Sequence, residues 1–355
     1  MLKQLLAPIL LVSLGVLSAC SDGGDNVDTP VETASPPPTI ELVLSTSPID
    51  LSGTSANFAA DVAYGDGERN VLDVYMPDSD QPTPLVIYIH GGAFLGGDKS
   101  SAHENFSDDI RAILQEGVAY ATFNYHLLSL DPLDPDGSIR SLTDSARGLQ
   151  FMRYYAASFN IDPENVAIYG VSAGAGTGLW LGTHDDLADP DNADPVLTQS
   201  TRIKAVAALA TQSTYNIMRW SEVLEPVIAP LAPILGGTDI LTIANAVGQV
   251  DLLLAFNGLT DTAQLESPEN LEYRANVDML ALMDSGDAPI FVRNSTPSPL
   301  DLVDFLFHHG LHGLALRDRA VEVGLANVVY VTDSAFSIED PSGEDRISFM
   351  LRHIR

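Results

Sequence analysis

Gly170-Val171-Ser172-Ala173-Gly174 sets a serine between two glycines, after the apolar run 166–169 and ahead of a small-residue stretch that carries Leu179 and Trp180. A strand, a sharp turn and a helix with a serine at the apex expose the hydroxyl as a nucleophile, and small flanking residues let the backbone make that turn. Ser172 is the candidate nucleophile. A second pattern, His90-Gly91-Gly92-Ala93-Phe94, follows the uniformly apolar Leu85-Val86-Ile87-Tyr88-Ile89. Glycines after a buried strand let the chain turn back with its N–H groups outward, and in acyl transfer such donors stabilise the oxyanion of the tetrahedral intermediate. Gly92, Ala93 and Ala173, the residue after the serine, are the candidate oxyanion-hole donors. His90 has the chemistry of a base, but its place at a strand end suits an imidazole that braces the loop by hydrogen bonding.

These groups need a scaffold that brings strand ends together. Residues 58–64 and 71–75 alternate as strands around the turn Gly65-Asp66-Gly67. The run 85–89 is apolar throughout, as a strand covered on both faces must be. A helix over 103–116, a strand over 118–125 and a helix over 143–157, with Asp144 complementing its dipole, come next. Strands over 166–169, 203–209, 289–293 and 328–331 and a last helix over 344–354 complete the pattern. Strand alternating with helix predicts an α/β domain with a mostly parallel sheet.

His90 to Phe94, Asn124-Tyr125, Asp162-Pro163-Glu164-Asn165-Val166 and Gly170 to Gly176 together resemble the α/β-hydrolase superfamily, nearest its carboxylesterase and hormone-sensitive-lipase-like branch. The resemblance covers roughly residues 58–211 and weakens afterwards. It implies an α/β-hydrolase fold, an eight-stranded, mostly parallel sheet flanked by helices, over residues 49–355. Between Thr211 and Gly286 long apolar segments, 223–235, 241–256 and 271–283, predict three helices inserted as a cap at about 212–286. Such a cap would roof a cleft with Ile, Leu, Val and Phe side chains, though most of these would form the cap's own core. Tyr215 and Trp220, near a strand end, are the better pocket candidates.

In the superfamily the acid follows the seventh strand and the histidine the eighth. Here residues 332–336 after the eighth strand contain no histidine, and His353 lies at the end of the last helix. The histidines cluster instead after the seventh strand, in the run from Asp301 to His312. Some bacterial esterase-like hydrolases resemble this chain in carrying a paired histidine there. Neutral imidazole is well matched to taking the serine proton and needs an orienting carboxylate. The first choice is His309 with Asp301. The alternatives are His308 paired with Asp304, at i and i+4 if Asp301 caps a helix, and His309 after the seventh strand with Asp333 after the eighth. A zinc site at His308, His309 and His312 is disfavoured, because adjacent histidines diverge and no further ligand stands nearby. No metal and no cofactor are expected.

The chain has 355 residues, 45% of them hydrophobic, and a formal net charge of −31. That acidity repels nucleic acid and anionic membranes and excludes neither fold nor enzyme. Lys3, the apolar stretch 5–17 and Leu17-Ser18-Ala19-Cys20 resemble a bacterial lipoprotein signal, with Cys20, the only cysteine, as the acylated residue. Residues 1–19 are thus expected to be a signal peptide and 20–48, rich in Ser, Asp and Pro, a flexible tether. Ser21 resembles the outer-membrane pattern. A lipid-anchored, exported serine hydrolase of small-molecule carboxylic esters is the leading expectation, with membrane contact through the anchor only. The alternatives are a catalytically impaired surface binding protein of the same fold and, less favoured, a peptidase.

Overall fold

The computed structural model describes residues 36–355. The expected signal peptide, Cys20 and the tether up to residue 35 lie outside the described residues. The later part of the tether differs from expectation. Ile40 donates its backbone N–H to Ser158 Oγ at 2.8 Å, Leu44 pairs with Ala59, and Ile40 and Leu42 pack on the core. Residues 40–44 therefore pack on the domain ahead of the expected boundary at residue 49, because Ile40 and Leu42 find cover there.

Among the described residues nine strands form one sheet in the order β1-β2-β4-β3-β5-β6-β7-β8-β9. β1 (Ala56–Ala63) and β2 (Val71–Pro77) form the expected hairpin, and β2 runs antiparallel to β4 (Ala119–Phe123). β4, β3 (Thr83–Ile89), β5 (Ile161–Val171), β6 (Ala205–Leu209), β7 (Ile290–Ser295) and β8 (Asn327–Thr332) are parallel. The ninth strand, Ser337–Ile338, is a two-residue antiparallel edge on β8 that the sequence pattern does not signal. The fold is the α/β-hydrolase fold.

Successive residues of β3 divide between two cores. Leu85, Ile87 and Ile89 belong to the core on the face covered by the helix Ala173–Thr183, while Val86 and Tyr88 belong to the core on the face covered by Arg346–Ile354. Cover on both faces is why this strand reads as apolar throughout. The helix expected over 103–116 is two, Ser101–Asn105 and Ser107–Gln115. Phe106 leaves helical geometry between them and lays its ring 5.1 Å from Tyr88 and 5.8 Å from Tyr169.

The cap between β6 and β7 is more broken than three long helices. Glu225–Ile228, Ala229–Leu231 and Ala232–Leu235 each start with a proline in their first two positions, Pro226, Pro230 and Pro233. Proline lacks the N–H that would continue the preceding ladder, so each one begins a new turn. Gly248, at φ +69°, separates Ile240–Ala246 from Val250–Phe256, and Asp278 caps Met279–Leu282 after Pro268–Asn276 has ended. No single helix among the described residues is long and apolar enough to cross a membrane.

The chain order reverses at β3, which lies between β4 and β5, so the carboxyl ends of β3 and β5 flank a switch point. There the helix Ala173–Thr183, called the nucleophile helix after the candidate Ser172 that precedes it, begins against the sheet. A Cβ on Gly174 would lie 2.0 Å from the Ile89 carbonyl oxygen, and one on Gly170 2.5 Å from the Gly174 carbonyl carbon. Gly174→Ala is therefore expected to force the helix off β3 at a cost of about 3 kcal/mol or more, read as a lower urea midpoint or loss of soluble protein. Unchanged stability in that variant would contradict the close approach.

Candidate active site

Ser172 sits between β5 and the nucleophile helix at φ +53°, ψ −120°, a conformation that L-residues adopt only when their surroundings hold them there. Two hydrogen bonds hold it. Its N–H donates to the Leu209 carbonyl of β6 at 2.9 Å, and its carbonyl accepts from Gly176 N–H at 3.0 Å. The elbow thus borrows a partner from the neighbouring strand, and the hydroxyl is left at the apex.

After β7 the helix Leu302–His308 begins at Asp301, whose carboxylate accepts the Asp304 N–H at 3.0 Å. This is an N-cap bond, and it occupies Asp301 at the far end of the helix from the histidine. One turn on, Asp304 Oδ1 lies 2.6 Å from His308 Nδ1, and His308 Nε2 lies 2.8 Å from Ser172 Oγ. With Nδ1–H donating to Asp304, Nε2 is left to accept the serine hydroxyl. Serine, imidazole and carboxylate are in line.

The first choice from the sequence, His309 with Asp301, is not what the structure brings to Ser172. His309 is buried at the start of the helix Gly310–Val323, and its Nδ1 accepts the Leu311 N–H at 3.1 Å. Its Nε2 lies 3.7 Å from Asp333. Adjacent residues of a turn point in different directions, so only one of the pair can face the serine, and the i, i+4 bond to Asp304 selects His308. Desolvation lowers the His309 pKa below the ordinary imidazole value, against the opposing pull of Asp333. Asp333 also accepts the Ala335 N–H at 2.7 Å and secures the turn after β8.

His312 has a third environment. It is fully buried, Nε2–H donates to the Leu306 carbonyl at 2.9 Å, and Nδ1 accepts the Ser213 N–H at 3.2 Å. It ties the start of the cap to the helix Leu302–His308, the histidine helix, and burial pushes its pKa down to about 4. The three histidines do not converge on a common point, and no metal-holding group of His, Cys, Asp or Glu occurs among the described residues. His353 packs its ring 4.9 Å from Phe349, on the sheet face away from the nucleophile helix.

The loop after β3 carries three consecutive left-handed residues, Gly92 (φ +112°), Ala93 (+53°) and Phe94 (+58°). Gly92 needs this freedom, since a Cβ there would lie 2.2 Å from the Gly96 carbonyl oxygen. Among the described residues, the N–H groups of Gly92, Ala93 and Ala173 donate to no other protein atom. The loop is braced from behind. Tyr125 donates its hydroxyl to the His90 carbonyl at 2.9 Å and stacks on the His90 ring at 4.3 Å, while His90 Nδ1–H donates to the Gly91 carbonyl at 2.7 Å. Burial holds the His90 pKa down to about 4, so this imidazole is neutral and acts as a brace.

A narrow, largely apolar cleft opens at Ser172, walled by Ala93, Phe94, Tyr215, Trp220, Phe256 and Phe307 among others. Tyr215, a pocket candidate from the sequence, also donates its hydroxyl to the Ala173 carbonyl and so secures the first turn of the nucleophile helix. Gln212 is a site residue that no motif announces. Its amide donates to the Phe307 carbonyl at 3.0 Å, fixing the backbone just before His308. Only the apposition of β6 with the histidine helix gives that residue a meaning.

The sequence model of the BD-FAE family matches residues 72–251. A probable isoprenylcysteine alpha-carbonyl methylesterase of Arabidopsis thaliana is 29% identical over 162 residues, 44% of this chain and 31% of that protein. The chain spans about a third of the length of such relatives. Among solved structures, a truncated carbohydrate esterase from gut microbiota is similar with a TM-score of 0.57 at 15% identity, over 85% of this chain and 98% of that one. An acetyl ester-xyloside bifunctional hydrolase from Caldicellulosiruptor lactoaceticus is similar with a TM-score of 0.52 at 17% identity, over 80% and 88%. At these identities the structures support the fold.

His90 and His312, both near pKa 4 when folded, make stability depend on pH. The unfolded chain takes up these protons below about pH 6.5 and the folded chain does not, so stability is full above that value and falls as the pH drops toward 4. The slope is about 1.4 kcal/mol per pH unit for each histidine. Asp287, raised to about 6 by burial, works in the opposite sense over much of this range and offsets one of them. Urea midpoints measured between pH 7 and 4.5 are expected to decline; a flat profile would contradict the burial of these rings.

Proposed function

The chain belongs to the BD-FAE family, and from that membership and the geometry at Ser172 we propose that it is a serine hydrolase of carboxylic esters working through an acyl-enzyme. Ser172 Oγ attacks the ester carbonyl as its proton passes to His308 Nε2. Asp304 holds the imidazole in the tautomer that accepts it and stabilises the cation that forms. The Gly92, Ala93 and Ala173 amides donate to the oxyanion. His308 then returns the proton to the departing alcohol oxygen, and a water activated by the same imidazole releases the acid.

The single observation that carries this reading is the chain of bonds Ser172–His308–Asp304, at 2.8 and 2.6 Å. An impaired binding protein was suggested by the missing histidine after β8, and His308 supplies an imidazole from another position. No resident cofactor enters the scheme. We also propose that the mature protein is exported and held to a bacterial membrane, the outer one by the Ser21 pattern, through a lipid on Cys20.

A fluorophosphonate probe is expected to label Ser172, and Ser172→Ala to abolish both labelling and turnover of p-nitrophenyl acetate. His308→Ala should lower kcat by about 10⁴-fold, whereas His309→Ala, losing only a helix cap and a buried ring, should stay within about tenfold of the parent. The reverse order would assign the base to His309. For the anchor, Cys20→Ala is expected to move the protein from the membrane pellet to the soluble fraction; persistence in the pellet would refute it.

A further inference from the structure

The loop after β3 aims an amide by holding the carbonyl of the same peptide group. In a trans peptide the C=O and the N–H point in opposite directions, so a bond that fixes the Gly92 carbonyl also fixes the Ala93 N–H. That carbonyl accepts the Leu95 N–H at 2.9 Å and the Gly96 N–H at 3.1 Å. The aim of Ala93 therefore depends on where the returning limb of the loop, residues 95–99, is held. Arg69 Nη2 donates to the Gly97 carbonyl at 2.9 Å, Lys99 N–H donates to Asn124 Oδ1 at 2.7 Å, and Thr122 Oγ1 donates to the Lys99 carbonyl at 3.2 Å. The limb ends on Lys99.

Lys3, Lys99 and Lys204 are the only lysines of this acidic chain, and of the last two Lys204 is exposed while Lys99 is buried. The Lys99 Nζ lies 2.7 Å from Asp73 Oδ1 on β2 and 2.9 Å from Asp61 Oδ1 on β1. Asp61 sits at φ +54° in a bulge of β1, and from there its N–H also donates to Asp73 Oδ1 at 2.9 Å. Asp73 Oδ2 accepts His103 Nε2–H at 2.9 Å, and Tyr75 donates its hydroxyl to His103 Nδ1 at 3.0 Å. Against the desolvation of burial, bonds to Asp73 and Asp61 hold the Lys99 pKa above its ordinary value, and bonds from His103 and Lys99 hold Asp73 below its own. Both ions are charged at neutral pH.

We propose that Lys99 is a positioning residue for ester hydrolysis, its ion pair with Asp73 fixing the returning limb of the loop so that the Ala93 N–H meets the oxyanion. The inference rests on the serine-hydrolase reading of Ser172. A buried ion pair adds little net stability, because desolvating two charges offsets most of their attraction. An apolar side chain of similar length would cover the same place without that cost, so what the charge supplies is a fixed seat for the limb. Lys99 touches no reacting atom and acts through residues 95–97 on the Gly92–Ala93 peptide. The device matters because a hydrogen bond weakens steeply as its donor turns away from the acceptor, and removing one oxyanion donor altogether costs about 10²- to 10³-fold in kcat. A loosened limb forfeits part of that.

The test compares the full-length protein with its Lys99→Met and Lys99→Arg variants on p-nitrophenyl acetate and against trifluoroacetophenone, a ketone whose adduct with Ser172 places an oxyanion on the same amides. Lys99→Met is expected to lower kcat and kcat/KM together by about tenfold or more, with KM within about twofold, because a misaimed amide is felt in the transition state. Its inhibition constant for the ketone should rise by a similar factor. Lys99→Arg, which keeps a cation beside Asp73, should recover most of both losses, and urea midpoints record stability separately. An unchanged kcat in Lys99→Met, with or without a lower urea midpoint, would overturn the inference. So would a lower kcat with unchanged inhibition by the ketone, or a Lys99→Arg variant no better than Lys99→Met. If Lys99→Met does not fold, the double variant Lys99→Met/Asp73→Asn, which leaves no buried charge unpaired, takes its place. If that too fails to fold, the pair is a folding element and the inference falls. Each of these outcomes leaves turnover by the parent protein, and with it the hydrolase reading, standing. No turnover of any ester by the parent would overturn that reading, and this inference with it.

Discussion

The approach of the nucleophile helix to the end of β3 is the constraint on which the rest of the site depends. Gly174 brings the first helical turn so near the Ile89 carbonyl that no Cβ fits between them. That contact sets the serine turn beside the loop that follows β3, and so sets the hydroxyl beside the Gly92 and Ala93 amides. The backbone cost of a serine at φ +53° is borne by the bond from its N–H to β6, a strand that pairs with β5 in register up to Val171–Leu209. Ser172 and the proposed amide donors are thus positions on one rigid sheet edge.

His308, the proposed base, is held by a different device. Asp304 and His308 stand four residues apart on one short helix, so the carboxylate and the ring it orients move as a unit and need no second loop to meet. Asp304 is correspondingly half-exposed, its place set by the helix and its cap at Asp301 rather than by burial. The end of β8 is thereby released from supplying a base, and Asp333 there serves a turn and the neighbouring His309. Gln212 and His312 then fasten the histidine helix to the segment leaving β6, so the base is positioned against the same sheet as the serine.

The cap packs over this frame in short segments. Its prolines and its glycine at position 248 break what would be long helices into short pieces, and short pieces can wrap a cavity that straight rods would either fill or leave open. The same residues serve as cap core and as pocket wall: Ile243 and Leu253 are buried and also line an apolar pocket within the cap. The cap's apolar residues are therefore core and pocket at once.

The strand, serine turn and helix, the Gly-Gly loop after β3 and the parallel sheet were legible in the chain because each rests on local chemistry. Glycines must stand where backbones nearly touch, and a strand covered on both faces must be apolar throughout. The i, i+4 spacing of Asp304 and His308 was visible too, as one pairing among several. What the sequence could not decide was which of two adjacent histidines faces Ser172, since that depends on the rotation of a seven-residue helix about its axis. That rotation is set by contacts far away along the chain, Gln212 to Phe307 and Ser213 to His312. The meeting of the cap with the helix Leu302–His308 is of the same kind, because Trp220 of the cap reaches Phe307 only across 87 residues of chain, their ring centroids 5.0 Å apart. Local patterns determined the parts, and long-range packing alone decided how they face one another.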